Sequence, residues 1–314
     1  MTAVTTTRRQ ALTLLGSTAL VAACTPAIVT RDDRDPFEGG IGGTGIVGTL
    51  YGFGSLRING LRVLLDGTTR YTMPFGAVSR DMLAPGQVLT VSARRTADGI
   101  IARDVSVDYT LVGILHHDGG RTTVNGVPLL NAGAALGDGS PGTRVAVSGT
   151  WTRDGVRPSR IDPAPGRPDA IGGTVVATAT GATGIGGVPV TGAQLPGTGA
   201  YAVVLGRFGA GGFTADRVQS GRFAGFSALS LLSVDGYLEP SPTAPGLRIA
   251  GLGHNFARDV RLAAIGQRRA IYFGRYNGLF GANRGYIVPD ELSARARLLD
   301  PGLGEGFAGQ LIRI

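Results

Sequence analysis

His116 and His117 stand side by side in the stretch LHHDGG and are followed by Asp118, a trio of side chains suited to a zinc or copper ion. Adjacent residues of an extended chain point to opposite faces, so one ion would need a turn and further ligands to reach both histidines. The third histidine, His254, is far along the chain, and an exposed hairpin tip is the plainer reading of the pair. A second concentration of chemistry lies in QRRAIYFGRYNGLFGANRGYIVP, where arginines alternate with Tyr272, Phe273, Tyr276, Phe280 and Tyr286. Aromatic rings beside guanidinium groups form stacking platforms for sugars or bases. Arg268, Tyr272, Arg275, Tyr276, Arg284 and Tyr286 are therefore candidate contacts for an anionic glycan or a lipid headgroup, and the competing reading is that these rings fill a core.

Other patterns carry less. GIGGTG, residues Gly40 to Gly45, has the spacing of a dinucleotide-binding turn, yet no strand precedes it and a strand, not a helix, follows. No G-x-S-x-G elbow and no paired-histidine metal helix occur, and many carboxylates, such as Asp98, Asp118 and Asp154, stand in turn positions. An enzyme is not expected, and no cofactor is implied.

The elements that would position these residues are short strands. Glycine accounts for 53 of 314 residues without a triplet period and aromatic residues for only 6%, a composition that fits many strands joined by tight turns. The expected fold is all-β. Formal net charge is +8 and all 30 basic residues are arginine, scattered singly. That spacing suits a solvated surface better than a nucleic-acid stripe.

From Gly45 onward the sequence repeats at a period of about 60 residues. The kernels are GTLYGFGSLRINGLRVLL, GILHHDGGRTTVNGVPLL, GTVVATATGATGIGGVPV and GYLEPSPTAPGLRIAGLG. Asn59-Gly60 and Asn125-Gly126 are type I′ turn signals, replaced by Gly186-Gly187 and Ala250-Gly251 in the later copies. Each second half holds another hairpin. Val88 to Val91 and Arg144 to Val147 read as half-buried strands, with turns at Asp98-Gly99 and Asp154-Gly155. About five strands in 60 residues suit a small OB-like or SH3-like barrel. The predicted boundaries are 44–109, 110–166, 167–223 and a divergent 224–314 with a C-terminal tail, four units in a row.

The run GTLYGFGSLRINGL resembles a bacterial family of unknown function that carries tandem OB-like barrels in glycine-rich exported proteins. That resemblance implies the barrel fold and no activity.

The N-terminus reads as an address. Arg8-Arg9 precede an apolar run of 13 residues, Ala11 to Ala23, too short to cross a roughly 30 Å hydrocarbon core and suited to a signal peptide over residues 1–23. Val21-Ala22-Ala23-Cys24 resembles the lipobox of bacterial lipoproteins, which implies that Cys24, the only cysteine, is acylated and becomes the mature N-terminus. A free thiol or an intermolecular disulfide is the alternative. The twin arginines resemble a twin-arginine export signal, although Ala11 replaces the usual large apolar residue and leaves Sec export open. Residues 24–43 read as a flexible tether. The expected protein is held to the envelope membrane by lipid, with Thr25 favouring the outer membrane where the source has one. Its expected role is non-catalytic binding or scaffolding, with an envelope polysaccharide or protein as partner and no nucleic acid.

Overall fold

Two Asn-Gly turns set the architecture. Asn59 and Asn125 hold φ of +54° and +51°, and the glycines after them +74° and +72°, as a type I′ turn requires. Both asparagines are almost fully buried. Asn59 Nδ2 donates to Val47 O at 3.0 Å within its own copy and to Ser233 Oγ at 2.9 Å in the last copy. Asn125 Nδ2 donates to Val112 O at 2.8 Å and to Ala170 O at 3.1 Å in the third copy. Room for each carboxamide comes from a strand glycine, since a Cβ on Gly48 or Gly113 would collide with the Oδ1 of Asn59 or Asn125.

The structure is a computed structural model that describes residues 43–136, 139–226, 229–240, 247–250, 255–256, 268–303 and 310–313. The signal, tether and lipobox residues, including Arg8, Arg9, Val21, Ala22, Ala23 and Cys24, lie outside the described residues, as does His254. The first copy contains β1 (Gly43–Gly52), β2 (Leu56–Ile58), β3 (Leu61–Leu64), β4 (Arg70–Met73), β5 (Gly76–Ala77), β6 (Val88–Thr96) and β7 (Gly99–Asp108). The second contains β8 (Leu111–Asp118), β9 (Arg121–Val124), β10 (Val127–Pro128), the single-turn α1 (Gly133–Leu136), β11 (Arg144–Thr152) and β12 (Gly155–Pro163). The third contains β13 (Asp169–Ala177), β14 (Thr183–Ile185), β15 (Val188–Thr191), β16 (Tyr201–Gly209) and β17 (Gly212–Ser220). The fourth contains β18 (Leu229–Pro240), β19 (Leu247–Ile249), β20 (Asn255–Phe256), β21 (Arg269–Tyr276), β22 (Phe280–Ile287), α2 (Leu292–Leu299) and β23 (Gln310–Arg313).

One pairing order recurs in all four. In the first copy β1 pairs antiparallel with β2 and β6, β2 with β3 and β6 with β7, while β3 runs parallel to β7, so the pairings return to their start. The second copy repeats this order, with the parallel bridge Leu129–Val156 making the last link. The third and fourth repeat it through β15–β17 and β20–β22. The chain is all-β, in two multi-stranded sheets.

The copies are not joined in a row. Strand β1 pairs parallel with β18, which merges the first and last copies into a 13-stranded sheet, and β8 pairs antiparallel with β13, which merges the middle two into a 10-stranded sheet. The sequence also suggests that Val88 to Val91 is half-buried, but all four residues are buried. Neighbouring copies cover the outer face of such strands, so the alternation between Leu89 and Thr90 marks two interiors and not an interior and a surface.

In the third copy the turn residue is Gly186, at φ +58°, and the space filled elsewhere by asparagine is taken by Trp151 of the second copy. The Trp151 indole packs against Gly186, and its Nε1 donates to Gly172 O at 2.7 Å. The joint between copies is kept with different chemistry.

Asn59→Gly keeps the left-handed backbone and loses two buried hydrogen bonds, at an expected cost of about 1–3 kcal/mol. Asn59→Ala loses the same bonds and keeps a Cβ at positive φ that the glycine variant lacks, so it is expected to be about 1–2 kcal/mol less stable than Asn59→Gly. Urea unfolding of the protein measures both, and equal midpoints for the two variants would contradict this account of the turn.

Candidate functional site

Alternation along β18 puts Ser233, Asp235 and Tyr237 on one face, and the antiparallel register sets Arg269 of β21 directly across from Tyr237 and diagonal to Asp235. The Arg269 guanidinium therefore meets the Asp235 carboxylate as a fork, Nε to Oδ1 and Nη2 to Oδ2, each at 2.7 Å, with side chains 3% and 2% exposed. Nη2 also reaches Thr49 Oγ1 of the first copy at 3.3 Å. Burial pushes the Asp235 pKa up, but Arg269 and then Arg295 outweigh it and hold the carboxyl below its ordinary value of 3.8. Burial likewise opposes charge on Arg269, and Asp235 more than restores it.

Around this pair lies a second tier. The Tyr237 hydroxyl donates to Asp290 Oδ1, and Arg157 Nη1 from β12 donates to Asp290 Oδ2. Arg157 and Arg269 each sit 5.8 Å from the centre of the Tyr237 ring. Burial raises the Tyr237 phenol to about 12. Arg295 of α2 is 2% exposed and donates through Nη1 to the carbonyls of Pro289 and Asp290, both at 3.1 Å. Its Nη2 is buried and finds no hydrogen-bond acceptor among the described residues. Burial first, and then the charge of Arg269, lower the Arg295 pKa to about 10, so it stays cationic at neutral pH.

Above the cluster opens a trough between α1 with β12 on one side and the start of α2 on the other. It has two lobes of about 560 and 660 Å³ that share Ala134, Ala135, Ser159 and Leu292. One lobe is bounded by Tyr51, Asn131, Arg157 and Glu291, and the other by Arg144, Arg160 and Asp162. The trough is the strongest candidate binding surface, and its floor is an ion-pair network that also ties three copies together.

The residues singled out in the sequence do not converge. Tyr272 and Tyr286 are 0% and 2% exposed and belong to different cores, so these two rings fill cores and do not form a stacking platform. The β21 register explains why, since alternate positions of that strand face two separate interiors. Arg275 is exposed and Tyr276 half-buried against Phe223, with ring centres 5.9 Å apart, while Arg268 stands at the opposite end of β21 and Arg284 is half-buried on β22. His116 and His117 are both exposed at the β8–β9 hairpin, and His117 Nδ1 lies 3.1 Å from Thr122 Oγ1. Among the described residues no three His, Cys, Asp or Glu side chains gather as metal ligands. The described part of GIGGTG, Gly43 to Gly45, begins strand β1.

The Asp235–Arg269 cluster was not singled out in the sequence. Its one signal is an acid set inside the otherwise apolar run SLLSVDGYL. Comparison of the chain with family models, with curated proteins and with solved structures finds no match.

Because the folded-state pKa of Asp235 is lowered, its contribution to stability is complete above the ordinary carboxylate value and is lost as pH falls through the folded value. Asp235→Asn is expected to cost about 3–5 kcal/mol at pH 7, since it leaves Arg269 buried without its counter-charge. The same variant should show a shallower loss of stability than the wild type below about pH 4. Denaturation midpoints across pH 2.5–7 test both, and a parallel pH profile in the two proteins would contradict the assignment.

Proposed function

We propose that the protein is an exported lipoprotein of the bacterial cell envelope whose folded part is a non-catalytic body of four OB-like barrels, used for binding or scaffolding. The observation that carries this reading is the pairing order found four times, with the first strand between the second and fourth and the third parallel to the last. That order is the one a five-stranded OB-type barrel has, which supports the barrel reading, and the likeness of GTLYGFGSLRINGL to the exported tandem-barrel family points the same way. The buried polar chemistry is spent on holding copies together. Asn59, Asn125 and the Asp235–Arg269 pair each bond across a boundary between copies, and Arg222 does so by donating to Asp108 and Thr90 while lying 4.1 Å from the centre of the Tyr201 ring. Such a body is rigid and presents fixed surfaces.

The lipobox-like Val21-Ala22-Ala23-Cys24 supports anchoring through acylated Cys24, and several acyl chains are needed because one holds a membrane only marginally. Thr25 favours the outer membrane where the source has one. The partners in this reading are the membrane and an envelope polysaccharide or protein.

Mass spectrometry of the protein extracted from membranes is expected to give an N-terminus at Cys24 carrying fatty acid. Cys24→Ser should leave the precursor uncleaved. An unmodified N-terminus, or wild-type protein washed from membranes by high salt alone, would overturn the lipoprotein reading.

A further inference from the structure

The trough between α1 and α2 has a charge pattern that selects among ligands. Four arginines line it, and each is already committed: Arg144 to Asp169, Arg157 to Asp290, Arg160 to Asp162 and Arg269 to Asp235. Glu291 adds a carboxylate whose bond is from the Ser293 hydroxyl, and it offsets the buried Arg295 cation beneath the floor, so arginines and carboxylates balance and the trough holds no surplus of positive charge. An anion entering here would meet cations that already have counter-charges. A strand-adding peptide is disfavoured as well. Strand β12, paired along its length with β11, carries Pro158 and Pro163 in the trough, and neither has an N–H to offer a further ladder.

A neutral polyol fits the same lining. Each guanidinium–carboxylate pair sets a donor beside an acceptor, and a hydroxyl group is both. Asn131 lies in the left-handed region at φ +54°, is exposed, and makes no hydrogen bond through its amide among the described residues, so it offers two donors and an acceptor. Ala134, Ala135 and Leu292, shared by both lobes, supply apolar surface for the C–H faces of sugar rings. Arg157 to Pro163 spans about 20 Å at roughly 3.3 Å per residue, so the site is elongated.

We propose that this trough binds a neutral, linear oligosaccharide, with Arg157–Asp290, Arg160–Asp162 and Asn131 contacting its hydroxyl groups and Ala134 and Leu292 contacting its rings. The inference rests on the binding reading above and names the ligand class for that body.

The test is calorimetric titration of the mature protein with neutral linear oligosaccharides and with uronic-acid-containing counterparts of the same length. Ala134→Trp fills the trough from an exposed position without touching an ion pair, and Asn131→Gly removes the amide while keeping the backbone conformation. Binding of the neutral series, at least tenfold weaker in Ala134→Trp and several-fold weaker in Asn131→Gly with unchanged melting temperatures, is the expected result. No binding of any neutral oligosaccharide, tighter binding of the acidic series, or undiminished binding by both variants would overturn the proposal. Mass spectrometry of the recovered sugar separates the two readings: an intact sugar agrees with both, and a shortened one would uphold the site while contradicting the non-catalytic body.

Discussion

A carboxamide buried at a tight turn must find partners for its N–H groups, and in this protein that requirement joins one copy of the repeat to another. The amide of Asn59 has one acceptor at home, Val47 O, and one abroad, Ser233 Oγ; Asn125 has Val112 O and Ala170 O. An unmet donor in such a place costs about 1–3 kcal/mol, which links the turn conformation to the seam. The turn residue thus does two jobs. It supplies the positive φ that lets its hairpin close, and it fixes where the first strand of another copy lies in the same sheet.

The same demand accounts for the asymmetry of the assembly. Where asparagine gives way to glycine, the vacated space is filled by Trp151, whose indole N–H takes up the carbonyl of Gly172. In the last copy the seam is ionic, built on Asp235 and Arg269 with Thr49 as its contact in the first copy. Three solutions serve one need, which is to satisfy polar groups at boundaries where strands are covered on both faces. A linear repeat array makes contacts only between neighbours in sequence. Here the first copy pairs with the last and the second with the third, in two separate sheets.

The strand content and the tight turns of the first three copies were legible in the sequence because turn chemistry is local: positive φ needs Asn or Gly wherever the chain lies in space. The pairing of β1 with β18 was not legible, since it depends on two strands nearly 200 residues apart that carry no turn signal of their own. The arginine and aromatic segment left two readings open, a binding platform and a core, and only three-dimensional covering decides between them. A strand buried on both faces sends Tyr272 and Tyr286 into separate cores, which is the second reading. The trough was invisible for the same reason, being assembled from Tyr51, Asn131, Arg157 and Glu291, residues brought together from three copies.

If buried seams make the four copies one body, their amides should open together. Native-state hydrogen exchange of the protein, resolved by peptide, measures this most directly. The account predicts that the slowest amides of β1, β8, β13 and β18 share one free energy of opening and one denaturant dependence. Separate opening energies for each copy, with β18 lost while β1 stays protected, would contradict it.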